Sequence, residues 1–61
     1  MNLKRLRLQR GLTQIELAKK LKMKQPHLAM LESGAKPNPT LHMLRRLAKA
    51  LKVKLADLLR S

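Results

Sequence analysis

Apolar residues recur along this chain at spacings of three and four, which is the period of one face of an α-helix. Polar, glycine or proline breaks divide the pattern into five segments. These predicted helices span about residues 2–10, 13–21, 25–33, 41–51 and 55–59. The expected fold class is therefore all-α, with five short helices around one small core.

The second and third segments are separated by only three residues. Thr13 and Glu16 have the spacing of a capping box, which starts a helix by satisfying backbone donors with both side chains. Pro26 is tolerated only in the first turn of the next helix, and Gly34 is a natural stop. Two helices joined by such a tight turn indicate a helix-turn-helix at about residues 13–33, whose second helix enters the major groove of DNA.

The remaining segments complete the predicted core. The inward positions are predominantly leucine: Leu3, Leu6, Leu17, Ala18, Leu21, Leu28, Leu31, Leu41, Leu44, Leu47, Ala48 and Leu51, and Leu55, Leu58 and Leu59 make the last short helix. Met23 and Val53 are single apolar residues expected to plug the two short turns. The outer positions of the first and fourth helices are basic, and include Arg10 and Arg46. Residues 35–39 read as a loop, and we expect one domain over residues 1–61 without an internal repeat.

The order and spacing of these residues resemble the phage repressor and Cro family, also called Xre-type domains. The residues that carry the resemblance are Leu12-Thr13-Gln14-x-x-Leu17-Ala18-x-x-Leu21, Gln25-x-x-Leu28-x-x-Leu31-Glu32-x-Gly34 and Pro39-Thr40-Leu41-x-x-Leu44-x-x-Leu47-Ala48-x-x-Leu51. The resemblance implies a compact, lambda-repressor-like domain that binds operator DNA as a two-fold dimer.

The resemblance also implies roles for single residues. Arg7 pairs with Glu32, the alternative being a solvated arginine. Gln14 contacts a phosphate and supports the glutamine at position 25. Self-association uses residues 37–39 and 55–59.

The chain departs from the family pattern at its turns. Lys22 and Lys52 stand where the family commonly has glycine, and Lys24 and Lys54 stand where it has a serine or threonine cap. A lysine in left-handed backbone costs about 1 kcal/mol relative to glycine, and a missing cap costs about as much. These four lysines are expected to weaken the fold while adding positive charge.

The chain is strongly basic. Fifteen Lys and Arg stand against three Asp and Glu, a formal net charge of +12. Such an excess favours a polyanionic partner, with nucleic acid first and an anionic membrane surface second. No segment approaches the length of about 20 apolar residues that crosses a membrane, and the first residues lack a signal-peptide pattern. We expect a cytoplasmic protein.

The sequence offers no basis for catalysis, a metal or a cofactor. It has no cysteine, no paired carboxylates and no nucleophile beside a base, so we expect no enzyme.

The candidate DNA-binding residues surround the start of the third helix. They are Thr13, Gln14, Lys24, Gln25, Pro26, His27, Met30, Lys36 and Asn38. Gln25 is the best candidate for base recognition, because an amide can hydrogen-bond to N6 and N7 of adenine at the same time. The alternative is that Gln25 is only a solvated residue in the first turn of the helix. His27 can contact a phosphate or a guanine edge, or be a bystander. Met30 can only pack on a thymine methyl.

The predicted function is sequence-specific binding of double-stranded DNA by a repressor-type regulator, with half-sites about 34 Å apart. One alternative is an antitoxin-like interaction module in which Leu8, Ile15 and Met43 hold a toxin, a fused sensor or a second copy. Another is a sequence-indifferent basic DNA binder, or a redesigned scaffold that has lost its operator.

Overall fold

The computed structural model of the protein describes residues 1–35 and 39–60, and all regular secondary structure in them is α-helical. The five helices are α1 (Leu3–Gln9), α2 (Gln14–Leu21), α3 (Gln25–Ser33), α4 (Leu41–Leu51) and α5 (Leu55–Leu59). Helix α2 packs against α3 and α4, and α4 packs against α5, within a body of 25 × 24 × 18 Å. The predicted all-α, five-helix fold is confirmed.

Local chemistry accounts for the helix boundaries. The Glu16 backbone N–H donates to the Thr13 hydroxyl oxygen at 3.1 Å, and the Thr13 backbone N–H donates to the Glu16 carboxylate at 2.9 Å. Together these bonds form the predicted capping box. Thr40 caps α4 by accepting from the backbone N–H of Met43 at 3.1 Å. Gly34 ends α3 with a φ of +78°, a left-handed conformation that glycine adopts without steric cost.

The turns after α2 and α4 have the same backbone geometry. Lys22 ends α2 at φ 54° and ψ 44°, and Lys52 ends α4 at φ 57° and ψ 43°. In each turn the following apolar residue donates back into the helix: Met23 N–H to the Ala18 carbonyl at 2.9 Å, and Val53 N–H to the Ala48 carbonyl at 3.0 Å. These are the six-to-one bonds of a Schellman turn.

The segments that contain these two turns, residues 17–24 and 47–54, are identical at six of eight positions. The likeness is confined to the end of one helix and the turn after it, because α3 has nine residues and α5 has five with a different sequence.

The core is built almost entirely from leucine. Its buried residues are Leu3, Leu6, Leu17, Ala18, Leu21, Leu28, Leu31, Leu47, Ala48, Leu51 and Leu58. Met23 and Val53 pack partly buried against it, as their position in the turns predicts. Leu41 is wrong as a core prediction, because it is 53% exposed. Leu41 is the first residue of α4, so it lies at the helix end although its angular position is close to that of the buried Ala48.

Two arginines expected on the outer face bind the ends of other helices instead. Arg10 donates from Nε to the Leu51 carbonyl at 2.8 Å and from Nη2 to the Lys52 carbonyl at 3.1 Å. Arg46 donates from Nη2 to the Leu21 carbonyl. Each guanidinium therefore satisfies carbonyl groups at a helix C-terminus, where the helix dipole also favours a positive charge.

The described helices are too short and too polar for a membrane crossing.

Candidate nucleic-acid interface

A buried ion pair joins α1 to α3. Arg7 donates from Nε to Oε2 of Glu32 at 2.6 Å and from Nη2 to Oε1 at 3.2 Å. The side chains are 7% and 3% exposed. Arg7 also donates from Nη1 to the Leu12 carbonyl at 2.8 Å. The guanidinium is thus fixed by three hydrogen bonds, and it holds the Glu32 carboxylate in one place on α3.

Two glutamines extend this ion pair toward the start of α3. Gln14 donates from Nε2 to Oε1 of Glu32 at 3.1 Å. Gln25 donates from Nε2 to Oε1 of Gln14 at 2.7 Å. The four side chains form a continuous relay from Arg7 in the interior, through Glu32 and Gln14, to Gln25 in the first turn of α3.

The ion pair determines which way both amides point. An ionised carboxylate only accepts hydrogen bonds, so Gln14 must turn its NH₂ group toward Glu32 and its oxygen toward Gln25. Gln25 must then turn its own NH₂ group toward Gln14. The relay leaves the Gln25 oxygen and the second Nε2 hydrogen for a ligand, and adenine needs one acceptor and one donor of this kind.

The start of α2 lies beside this relay and carries hydrogen-bond donors. The N–H groups of the first helical turn have no partner within a helix, and the helix dipole favours an anion there. The Thr13 hydroxyl accepts from the Glu16 N–H. The hydrogen bond from the Thr13 backbone N–H lowers the pKa of Glu16, and the Thr13 hydroxyl and the charge of Lys20 act in the same direction.

The other candidate residues occupy the start and outer side of α3. Lys24 and Pro26 are exposed, and His27 is half-buried. The Met30 side chain is 44% exposed, as the inward positions of Leu28 and Leu31 require. Two candidate residues, Lys36 and Asn38, lie outside the described residues.

A model of the helix-turn-helix family matches residues 3–58 of the chain. The chain belongs to the helix-turn-helix family. The match spans all but a few residues of the chain and both helices of the motif, and it supports the Cro/Xre-type resemblance read from the sequence. Comparison with curated proteins and with solved structures gave no match.

Membership of the helix-turn-helix family indicates the general function of the domain. It is a DNA-binding domain, and transcription regulation is the role that the family fits. In this helix-turn-helix domain, α3 is the second helix of the motif, which is the helix that the motif places in the major groove.

Three apolar residues, Leu8, Ile15 and Met43, were the alternative candidates for a protein-binding surface. Met43 packs partly buried against the core. Leu8 on α1 and Ile15 on α2 are 57% and 59% exposed. They line one shallow cleft with Leu12, and the same cleft is bordered by Gln14 and Gln25. An exposed apolar patch therefore adjoins the relay of the helix-turn-helix domain.

Proposed function

We propose that this helix-turn-helix domain is a repressor-type transcription regulator that reads double-stranded DNA sequence with Gln25. Two copies bind as a two-fold pair, so that their α3 helices enter the major groove one helical turn apart, about 34 Å. Thr13, Gln14 and Lys24 contact phosphates beside the reading helix, and Lys36 and Asn38 are assigned to the same role. His27 contacts a phosphate, and Pro26 and Met30 offer shape and apolar contact.

The observation that carries this proposal is the relay that ends on Gln25. A free glutamine side chain has several rotatable bonds, and ordering it on a ligand costs conformational entropy. The hydrogen bond from Gln25 to Gln14 at 2.7 Å lowers that cost before DNA arrives. It also presents the amide in the orientation that suits adenine. Such preorganisation raises specificity, because a mismatched base leaves oriented polar groups without partners.

The test is selection of binding sites from a random-sequence duplex library at two salt concentrations. A specific repressor enriches a palindromic motif, and the spacing of its half-sites reports the two-fold pair. The affinity for the enriched site should exceed that for random DNA by several kcal/mol, at about 1–3 kcal/mol for each mismatched base pair. Enrichment of no motif would contradict the proposal.

The role of Gln25 is tested by Gln25→Ala, which should cost about 1–3 kcal/mol at the selected site and relax the preference at one base pair. Gln14→Ala should cost less, because it frees the Gln25 amide without removing it. The double variant should cost less than the two single effects added together. Gln9→Ala is the matched control, since Gln9 is an exposed glutamine on α1. Unchanged selection by Gln25→Ala would remove Gln25 from base readout.

The exposed Leu8 and Ile15 support a second candidate function, an antitoxin-like module that binds a protein partner. Their shared cleft borders Gln14 and Gln25, so a bound partner would compete with DNA. Leu8→Lys or Ile15→Lys should then abolish capture of that partner while the fold, followed by circular dichroism, is retained. Capture that survives both substitutions would exclude this surface.

A further inference from the structure

A second basic surface lies at the other end of α2 from the relay. The C-terminal ends of α2 and α4 enclose an open cleft of about 470 Å³. Four of its six lining residues are cationic: Lys20, Arg46, Lys49 and Lys52. The other two are Leu21 and Ala50, so no acid of the described residues lines the cleft. The closest acid along α2 is Glu16, one turn before Lys20, and its carboxylate is engaged by Thr13.

The proposed reading surface does not account for this charge. Of the fifteen Lys and Arg in the chain, only Lys24 and Lys36 belong to that surface. A net charge of +12 destabilises a compact fold by self-repulsion. Each of the three acids has a local structural role: Glu16 in its capping box, Glu32 in the buried ion pair and Asp57 at the start of α5. No acid of the described residues lines the cleft, so its positive charge is offset only in part, by the helix dipoles at the C-terminal ends of α2 and α4.

One cation of the cleft is preorganised for a ligand, and another is kept at a cost in stability. Arg46 is anchored by its bond to the Leu21 carbonyl, which uses one of its five N–H donors and leaves a preorganised guanidinium. Lys52 occupies left-handed backbone at φ 57°, where glycine would cost less. The chain thus keeps a charged side chain at the edge of the cleft despite a cost in stability.

We propose that this cleft binds the phosphate backbone of a second DNA duplex, so that one molecule of the protein bridges two duplex segments. Lysine and anchored arginine without base-reading groups suit a sequence-independent phosphate contact. Gln14 and Lys20 are six residues apart on α2, which is about 9 Å along its axis. The two sites therefore lie at different ends of one helix. The bridging proposal rests on the proposed function only in that the first duplex occupies the reading surface.

The test is capture of a labelled free duplex by the protein bound to an immobilised duplex, both of random sequence. The cleft variant is Lys20→Gln, Lys49→Gln and Lys52→Gln together, with Arg46 left in place because its bond supports the fold. The control is Lys4→Gln, Arg5→Gln and Arg45→Gln, which removes the same charge from exposed residues that do not line the cleft. Circular dichroism and sedimentation velocity establish that both variants fold and have the same oligomeric state as the wild type.

The wild type and the control should capture the second duplex, and the cleft variant should capture at least about tenfold less. For the capture step, the slope of log K against log salt should fall by up to about 3 in the cleft variant, at roughly 0.9 for each phosphate that the protein no longer neutralises. Binding to the first duplex should match that of the control.

Equal capture by both variants would overturn the proposal, since bridging would then come from overall charge or from a dimer. A wild type that binds one duplex without capturing another would overturn it as well. The protein could also select no sequence motif and still capture a second duplex through the cleft. That result would support the bridging site and contradict the proposed sequence-specific repressor. A relaxed preference at one base pair in Gln25→Ala, with capture of the second duplex unchanged, would show the two sites to be independent.

Discussion

Lys22 offers the sharpest test of how this fold trades stability for charge. Its backbone is left-handed at φ 54° and ψ 44°, where the Cβ of an L-residue crowds the following carbonyl. That conformation costs about 1–2 kcal/mol. Glycine removes this cost but loses about 0.4–1 kcal/mol through the greater freedom of the unfolded chain. Lys22→Gly should therefore stabilise the protein by about 1 kcal/mol.

This gain in the free energy of unfolding should produce a large rise in Tm, because the protein is small. Unfolding entropy near 60 °C is about 2.1 cal/mol/K per residue, so a chain of 61 residues has a total of about 130 cal/mol/K. A gain of about 1 kcal/mol then raises Tm by roughly 8 °C. The measurement is a thermal melt followed by circular dichroism, supported by denaturant unfolding with an unchanged m-value.

The matched control is Lys22→Ala, which removes the same charge but keeps a Cβ in the strained backbone. It separates relief of charge repulsion from relief of strain, and repeating both melts at high salt suppresses the charge effect further. The repeated turn provides an independent copy of the experiment, because Lys52→Gly should give a similar gain. The reasoning is refuted if Lys22→Gly is no more stable than Lys22→Ala.

The other predictions concern the ion pair, a cap and a titrating carboxylate. Arg7→Ala leaves the Glu32 carboxylate buried without its partner and should lower the free energy of unfolding by about 3–5 kcal/mol in denaturant unfolding. Arg7→Met combined with Glu32→Leu should recover most of this loss. A cost below about 1 kcal/mol for Arg7→Ala would contradict the buried geometry. Thr40→Ala removes the α4 cap and should cost about 1 kcal/mol, while Thr40→Ser, which keeps the hydroxyl, should cost much less in the same melt. The folded pKa of Glu16 is lowered below its ordinary value of 4.5 by the Thr13 backbone N–H. The stability that Glu16 contributes is therefore present above about pH 4.5 and is lost as the pH falls through the lower folded pKa. The Tm difference between the protein and Glu16→Gln should shrink across that window, and a difference independent of pH would be inconsistent with this linkage.

The elements whose causes are local could be predicted from the amino-acid sequence. Thr13 and Glu16 are three residues apart, so the capping box could be read directly. Pro26 and Gly34 mark a helix start and a helix end through their own backbone restrictions. The family resemblance marked Lys22 as a position that commonly holds glycine, and the structure shows that its backbone is left-handed. Periodicity located the leucine core because burial repeats with the helix.

Contacts between residues that are distant in sequence became visible only in the folded structure. Arg46 binds the end of a helix 25 residues earlier, and Arg10 binds one 41 residues later. No local pattern distinguishes these arginines from their solvated neighbours on the same helices. The Arg7–Glu32 pair was expected from the family resemblance alone, but the resulting orientation of both amides required the observed chain of hydrogen bonds.

Only the folded chain also brought two basic helix ends together into one cleft. Lys20 and Lys49 are far apart in sequence and lie on separate helices. From the sequence, each would therefore be interpreted as a lysine on the solvated face of its own helix. The sequence determined where helices form, because that depends on neighbouring residues. The packing of α2 against α4 determined where charge accumulates, because that depends on residues close only in space.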